Sequence, residues 1–321
     1  MVEFPVVGAG YYCASSAAGN SASFGHGLIP MTHRPLPDAV CIGASKCGTT
    51  SLHYYLHAHP EIGVPRSKEV HFFLDPGNWH RGQDWYVRQF PQRRVLVESF
   101  GGGYSHYPVR QGVARRMFEV LPHGKFIYMV RDPVERMISR YVHNVCELTE
   151  EAEPAQAFSG NPQENVYISE SLYFTQLSQY LEYFDASRFL IVDYDSFMTR
   201  RRETLRQIFE FLGVDAQFSS PAFEVIRHPT AGKRRKNAFG AALHRTFGRH
   251  VLQALGRLPL HMPTQRALSH RTDQLLYWMF SSPMARPRLD PELRRELNAI
   301  FRPEVRQLEQ FAGRQFPGWL T

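Results

Sequence analysis

The sequence predicts an α/β protein in which a P-loop-like parallel sheet is flanked by helices. Two observations predict this fold class. Short apolar runs typical of buried strands recur along the chain, and segments with the pattern of amphipathic helices lie between or after them. The first apolar run also leads through a turn of small residues into a helix. In such sheets, ligands bind at the carboxyl ends of the strands.

The predicted elements alternate along most of the chain. Buried parallel strands are predicted from the apolar runs at residues 39–43, 95–99, 126–130 and 189–194. Helices are predicted at about 51–58, 109–121, 133–147, 171–184 and 199–212, with a last one at 291–311. No internal repeat or linker is evident. We therefore expect an irregular N-terminal segment at 1–35 and a single domain at 36–321.

Composition limits the classes of protein that fit. The chain has 321 residues, of which 43% are hydrophobic, enough for a sizeable core. Before Arg34 there is no Lys or Arg and no continuous apolar run, which fits neither a signal peptide nor an anchor. No later segment reaches the roughly 18 apolar residues of a membrane span. Four scattered cysteines show neither metal spacing nor a disulfide framework, so we expect a soluble, cytoplasmic protein.

Positive charge is concentrated in one part of the chain. The stretch from Val225 to Thr272 contains ten Lys or Arg residues, five His and no acidic residue, whereas the whole chain carries a net charge of +7. A solvated basic surface would explain this stretch. A basic flap that meets an anionic ligand would explain it equally well.

The turn after the first strand has the composition of an anion site. A strand, a small-residue turn and a helix N-terminus together direct backbone N–H groups and the helix dipole at one place. Gly43 and Gly48 have the separation found in nucleoside-triphosphate P-loops, but Thr49 occupies the lysine position of that motif and Lys46 precedes the second glycine. The turn therefore predicts a phosphate site that is not built for ATP with magnesium. Its candidate ligands are Lys46, Cys47, Gly48, Thr49, Thr50 and Ser51.

A second candidate site follows the strand at 126–130. Asp132, Pro133 and Glu135 form a helix-start signature, with an N-cap, a proline at the first helical position and a glutamate at the third. That signature explains neither Arg131 at the end of the strand nor Ser139 two turns into the helix. Both side chains can reach a single phosphate, although Ser139 can equally be a filler on the helix face.

A third segment contains two candidate proton acceptors. In Lys68-Glu69-Val70-His71, the alternation of an extended chain would place Glu69 and His71 on the same side. Either side chain can take a proton from a hydroxyl. A purely structural role, with a surface Lys-Glu pair followed by apolar packing, would explain this segment equally well.

Taken together, these segments resemble the sulfotransferases that use 3′-phosphoadenosine 5′-phosphosulfate (PAPS), and in particular the heparan-sulfate-type branch with its bacterial relatives. The resemblance runs from about Pro37 to Trp319. Its most specific motifs are the turn at 42–52 and Lys68-Glu69-Val70-His71-Phe72-Phe73. Further matching segments are His59-Pro60, Asp84-Trp85-Tyr86, Arg131-Asp132-Pro133-Val134-Glu135-Arg136 with Ser139 and Tyr141, Ser171-Leu172-Tyr173, Phe211 to Val214 and Gln315 to Trp319.

The resemblance implies a sulfotransferase fold and a donor site. The turn from Lys46 to Ser51 resembles the 5′-phosphosulfate loop, in which the lysine contacts the phosphate and the bridging oxygen. Arg131 and Ser139 match the pair that binds the 3′-phosphate. Lys233 and Arg235 lie where the family closes a basic turn over the nucleotide, although the glycine between the family's basic residues is replaced by Arg234.

The resemblance also implies the chemistry. Glu69 matches the catalytic base, with His71 close behind it, and either can be the base. Lys46 would offset charge on the leaving phosphate, because sulfuryl transfer, like phosphoryl transfer, depends mainly on positioning and electrostatic stabilisation. No metal ion is implied. The reaction is then sulfuryl transfer from PAPS to an alcohol on a saccharide or a small natural product.

The acceptor is specified less well than the donor. The heparan-type enzymes follow the glutamate of the second strand with a lysine near the transfer site, whereas this chain has Glu98-Ser99 followed by three glycines, 101–103. A glycan, a lipid or a small molecule, with a hydroxyl or an amine, remains open as the acceptor, and so does the oligomeric state.

Two other functions fit parts of the sequence. A P-loop kinase would fit the glycine spacing, but the displaced Lys46 opposes it. A non-catalytic protein that binds polyanions or nucleic acid would fit the basic stretch, but no motif of interleaved aromatic residues accompanies that stretch. We therefore expect PAPS and a hydroxylated acceptor as partners, and no nucleic acid.

Overall fold

A five-stranded parallel sheet forms the centre of the fold. The computed structural model of the chain describes residues 35–74, 77–99, 102–225, 234–236 and 281–321. The sheet order is β2-β3-β1-β4-β5, and every pairing is parallel. The strands are β1 (Ala39–Gly43), β2 (Ile62–Gly63), β3 (Val95–Glu98), β4 (Lys125–Val130) and β5 (Phe189–Asp193). The predicted α/β class with a parallel sheet is confirmed.

Ten α-helices accompany the sheet in the described ranges. The first five are α1 (Thr49–Ala58), α2 (Gly82–Val87), α3 (Val113–Val120), α4 (Pro133–Cys146) and α5 (Pro154–Ala157). The others are α6 (Val166–Ser169), α7 (Tyr173–Leu181), α8 (Tyr194–Thr199), α9 (Arg201–Leu212) and α10 (Pro291–Ala312). Helix α7 packs against α3 and α10, and α10 also packs against α4. A separate antiparallel pair joins β6 (Arg234–Lys236) and β7 (Ser281–Pro283).

Strand β1 lies in the middle of the sheet because all five of its residues are small or apolar and fully buried. The chain leaves β1 for β2 and β3 on one side and then crosses to β4 and β5 on the other. The carboxyl end of β1 is therefore the point where the strand order reverses. Such switch points open the crevice in which α/β proteins bind ligands.

Several elements of the structure were not predicted, among them helices α2, α5 and α6 and strands β6 and β7. Strand β2 was not predicted, because two residues carry no periodicity. A single helix was predicted at 199–212, but this part of the chain forms two helices, α8 and α9. Helix α8 begins at Tyr194, and Asp193 caps it by accepting the Ser196 N–H at 2.8 Å. Chain contacts group Pro35–Thr321 into one compact unit. Residues 1–34 and most of the basic stretch lie outside the described residues.

Gly43 is a position where the fold requires glycine. Its φ is +139°, and a Cβ there would lie 2.1 Å from Oγ of Ser105, a buried residue in the segment after β3. We expect Gly43→Ala to lower the free energy of unfolding by about 3 kcal/mol or more, from backbone strain and displaced packing together.

Gly213→Ala is the matched control. Gly213 also has a positive φ, +74°, but a Cβ there meets nothing within 4 Å, so only the left-handed backbone should cost energy, about 1–2 kcal/mol. Urea unfolding of both variants measures the difference. Equal losses would show that the contact with Ser105 does not restrict this turn.

Candidate active site

The turn between β1 and α1 presents an open helix N-terminus at the carboxyl end of the central strand. Lys46 and Gly48 both have left-handed backbone conformations, with φ of 70° and 85°. Gly48 is the N-cap of α1, and no side chain caps the helix. The first N–H groups of a helix have no acceptor within the helix, and they carry the positive end of its dipole. The turn is therefore shaped to accept an anion.

The side chains of this turn divide into buried and partly exposed groups. Thr49 and Ser51 are buried, whereas Lys46 and Thr50 are partly exposed. Cys47 is also buried, with its thiol 3.8 Å from the Tyr173 hydroxyl and its N–H donated to the Ala44 carbonyl at 3.3 Å. Burial raises the pKa of the Cys47 thiol to about 11. The thiol and the N–H of Cys47, a predicted ligand of the donor, thus both make contacts within the protein.

One aromatic ring connects this turn to Arg131. A Cβ on Gly48 would lie 3.2 Å from Cδ2 of Tyr194, so the ring packs directly against the turn. The Arg131 guanidinium carbon lies 4.5 Å from the centre of the same ring, a cation–π contact. The structure thus brings together two candidate anion-binding segments that are 83 residues apart in sequence, Gly48 and Arg131. Sequence analysis did not select Tyr194, and its place at the end of β5 was the available signal.

Helix α4 begins as the sequence predicts. Pro133 is its first residue, and Asp132 caps it by accepting the Glu135 N–H at 2.8 Å. The Glu135 carboxylate does not reach back to the cap but contacts the guanidinium groups of Arg286 and Arg294. Ser139 is buried on this helix, two turns after Arg131, whose side chain is 13% exposed.

The third segment differs from its prediction. We expected an extended chain from Lys68 to His71, but His71 has a φ of 55° and the adjacent Phe72 and Phe73 are both buried. Two successive buried rings break the alternation, so strand geometry does not place Glu69 and His71 on one side. Glu69 is exposed, and its Oε1 lies 2.6 Å from the Lys68 ammonium.

His71 and Glu69 are nevertheless electrostatic neighbours. The pKa of His71 is lowered mainly by partial burial of the ring, while the Glu69 carboxylate opposes the shift and the cations of Arg110 and Lys68 add to it. The shift favours the neutral imidazole, which is the form that can accept a proton.

A buried carboxylate ends strand β3. Glu98 is fully buried and accepts hydrogen bonds from the hydroxyls of Tyr86 and Tyr104, the latter at 2.7 Å. The Tyr104 hydroxyl also receives the Phe73 N–H at 3.4 Å, which connects Glu98 to the segment that carries His71. Burial raises the pKa of Glu98 to about 7, against the opposing effect of the two hydroxyl donors.

Ser99, where the resemblance leads one to expect a lysine, also faces inward. Its Oγ lies 2.5 Å from Nδ1 of His53 on α1. Burial, with a smaller contribution from the nearby Lys68 ammonium, lowers the pKa of His53 to about 4. The polar end of β3 is therefore tied to α1 by neutral groups.

The basic stretch is described at only a few residues. Lys233 lies outside the described residues, whereas Arg235 is an exposed residue of β6, and β6 packs against α4. Burial raises the pKa of Tyr141 on α4, and the Arg235 cation is close enough to oppose that shift. Arg235 therefore lies near the helix that carries Ser139.

Two general features apply to the part of the chain that the structure describes. None of its helices combines the length and the apolar composition that a bilayer crossing requires. Within those same ranges, no group of three His, Cys, Asp or Glu side chains is arranged to hold a metal ion.

The raised pKa of Glu98 predicts a pH dependence of stability. Its folded-state pKa of about 7 exceeds the reference value of 4.5, so the folded state binds this proton more tightly than the unfolded state. The free energy of unfolding should therefore fall as the pH rises from about 4.5 through about 7, by about 3 kcal/mol in all. In Glu98→Gln, which keeps an acceptor for the tyrosines, this fall should disappear.

Urea unfolding at about pH 5 and about pH 8 measures both proteins. Glu119→Gln, a change at an exposed carboxylate paired with Arg115, is the control and should follow the wild type. The same pH slope in wild type and Glu98→Gln would contradict the assignment.

Known proteins resemble this chain in sequence. The membrane-associated sulfotransferase kil1 of Dictyostelium discoideum is 34% identical over 126 residues, 39% of this chain and 26% of its own length. The heparan sulfate glucosamine 3-O-sulfotransferase 5 of Mus musculus is 29% identical over 209 residues, 57% of this chain and 55% of its own. The chain thus spans between about a quarter and about half the length of these relatives.

A solved structure and a family profile extend the comparison. A sulfotransferase from Alicyclobacillus acidocaldarius has a TM-score of 0.59 to this structure at 24% identity, covering 89% of this chain and 100% of its own, which shows a common fold. The profile of the sulfotransferase domain family matches residues 36–245, well over half of the chain. Because that match includes the open turn after β1 and the start of α4, the chain belongs to the sulfotransferase domain family.

Proposed function

We propose that this protein transfers a sulfuryl group from PAPS to a hydroxyl group of a saccharide or a small natural product. One observation carries the proposal: the uncapped turn at Gly48 and the guanidinium of Arg131 pack against the same ring, Tyr194. Two neighbouring anion sites suit a nucleotide that carries acidic groups at both its 5′ and 3′ positions. Membership of the sulfotransferase family supports the same donor.

In this proposal the turn binds the 5′ end of the donor. The backbone N–H groups of Gly48, Thr49 and Thr50, with the Thr50 and Ser51 hydroxyls, hold phosphate oxygens. Lys46 offsets the negative charge that grows on the phosphate as it leaves. The thiol of Cys47 supports this turn from the core.

The 3′-phosphate is assigned to α4 and its neighbours. Arg131 provides a charge-assisted hydrogen bond from a guanidinium that Tyr194 already positions. Ser139 adds a hydroxyl from α4, the helix that begins just after Arg131. Arg235 and Lys233 are proposed to cover the nucleotide, in line with the position of β6 beside α4.

The donor supplies an activated sulfuryl group. A bond forms between the acceptor oxygen and sulfur, the bond from sulfur to the bridging phosphate oxygen breaks, and the acceptor proton passes to a base. We propose Glu69 or His71 as that base. The Lys68 ammonium lies 2.6 Å from Oε1 of Glu69 and so orients that carboxylate. The lowered pKa of His71 keeps its ring neutral.

A saccharide acceptor is favoured by the relatives. By their names, two relatives modify heparan sulfate: the 3-O-sulfotransferase 5 of mouse and the bifunctional N-deacetylase/N-sulfotransferase 2 of Homo sapiens. The human protein is 28% identical to this chain over 200 residues, and the match covers 22% of the human protein's length. One name denotes a hydroxyl acceptor and the other an amine. We retain the hydroxyl, and we place the reaction in the cytoplasm, where the buried thiols of Cys41 and Cys47 would remain reduced.

Calorimetry with adenosine 3′,5′-bisphosphate in EDTA tests the donor site. We expect micromolar binding that ATP–Mg²⁺ does not displace. In Arg131→Ala the affinity should fall by about 10-fold to 100-fold, because the variant loses a charge-assisted hydrogen bond to the nucleotide. Arg206→Ala, at an exposed arginine paired with Glu210, should bind as the wild type does. Preference for ATP–Mg²⁺ would contradict the proposal and favour a kinase.

Transfer from labelled PAPS tests the chemistry. Lys46→Ala should lower kcat by about 10²-fold to 10³-fold, because the developing charge loses its stabilising cation. Glu69→Gln should keep the affinity for adenosine 3′,5′-bisphosphate and lower turnover by about 10²-fold or more if Glu69 is the base.

Two further variants complete that experiment. His71→Gln should show the larger loss if the imidazole is the base instead. Glu182→Gln, at an exposed carboxylate on the surface, should keep the wild-type rate. Wild-type rates in the variants at residues 46, 69 and 71 would refute the assigned roles.

A further inference from the structure

A second charged cluster lies directly beside the proposed phosphosulfate turn. At its centre, the Glu170 carboxylate accepts a hydrogen bond from Ser45 Oγ at 3.0 Å and another from Arg136 Nη1 at 2.7 Å, both on Oε2. Its other oxygen, Oε1, lies 2.9 Å from His106 Nε2 and 3.9 Å from Arg140 Nη2. Because Ser45 immediately precedes Lys46, this cluster adjoins the transfer site.

Both oxygens of the Glu170 carboxylate already have partners within the protein. Burial alone would raise the pKa of Glu170, but contact with His106 and the charges of Arg136 and Arg140 hold it well below its usual range. Arg136 is completely buried, and its other N–H groups donate to Ser171 Oγ at 2.6 Å and to the Tyr167 carbonyl at 2.5 Å. Glu170 and Arg136 therefore form a satisfied internal pair.

Arg140 is the member of the cluster with unused hydrogen-bonding capacity. Its side chain is 28% exposed, and 3.9 Å from Glu170 exceeds hydrogen-bond distance. Its Nε is buried and has no hydrogen-bond partner among the residues that the structure describes. With one carboxylate for two guanidinium groups, the cluster holds a surplus positive charge that faces solvent at Arg140.

The surplus charge lies on the face of α4 that meets Glu170. Arg136 and Arg140 are one turn apart on α4 and so share that face, and Ser139 lies roughly 100° around the helix from Arg140. The face with Arg140 meets Glu170, and the same carboxylate oxygen contacts His106, which belongs to the segment that follows β3. That segment is where sequence analysis left the acceptor side open.

We propose that Arg140, with His106 beside it, binds a carboxylate or sulfate of an acidic saccharide acceptor and so selects anionic acceptors. A guanidinium matches the planar oxygens of these groups with paired hydrogen bonds, which suits recognition of a fixed anion. The inference rests on the proposed sulfotransferase function and adds the acceptor class to it.

Calorimetry with three hexasaccharides tests the proposal, each measured with and without saturating adenosine 3′,5′-bisphosphate. One probe alternates glucosamine with glucuronate, the second is sulfated and carboxyl-reduced, and the third is neutral chitohexaose. Arg140→Gln should weaken binding of at least one charged probe by about 10-fold or more, the effect of a lost charge-assisted hydrogen bond. The probe that is affected identifies carboxylate or sulfate as the recognised group.

Two variants separate recognition from structural damage. Arg140→Lys keeps the charge but not the planar fork, so its affinity should lie between those of wild type and Arg140→Gln. Arg115→Gln, at an exposed arginine paired with Glu119, should bind every probe as the wild type does. All variants should keep the wild-type affinity for adenosine 3′,5′-bisphosphate.

The outcomes that would overturn the proposal are distinct from failure of the donor site. Equal binding of charged and neutral hexasaccharides, no saccharide binding at all, or an Arg140→Gln protein that loses only nucleotide affinity would each refute it. A wild-type protein that fails to bind adenosine 3′,5′-bisphosphate would refute the proposed function instead, while the titrations without nucleotide still decide the role of Arg140.

Discussion

The open N-terminus of α1 at the end of the buried strand β1 is the constraint on which the rest of the site depends. The chain must turn from a fully buried strand into a helix through left-handed residues, and glycine at the N-cap leaves the first N–H groups without a capping side chain. Such a turn is costly unless its neighbours hold it. Here Ser105 packs over Gly43, Tyr194 packs over Gly48, and Glu170 binds Ser45.

These supporting contacts also position the groups to which we assign function. Tyr194 supports the turn and holds Arg131, so the two proposed phosphate sites have a common neighbour. Glu170 binds the turn and gathers the cations of α4 around it. The acid–base segment is joined to the carboxylate at the end of β3 through the hydroxyl of Tyr104 and is anchored in the core by the buried rings of Phe72 and Phe73.

Much of this arrangement could be predicted from local sequence signals. Apolar runs predicted four of the five sheet strands, and Asp132 with Pro133 predicted the start of α4, because both signals act within a few residues. The bend at His71 was missed because two adjacent buried rings override strand alternation. Glu170 was missed because its partner Ser45 lies 125 residues away, and no local pattern reports such a contact.

A crystal structure with adenosine 3′,5′-bisphosphate would test the central claim most directly. The account predicts that 5′-phosphate oxygens lie about 3 Å from the N–H groups of Gly48 and Thr49, with the Lys46 ammonium beside them. It also predicts the 3′-phosphate against Arg131 and Ser139. A nucleotide bound with its 5′-phosphate away from this turn, or with the two phosphates exchanged, would contradict it.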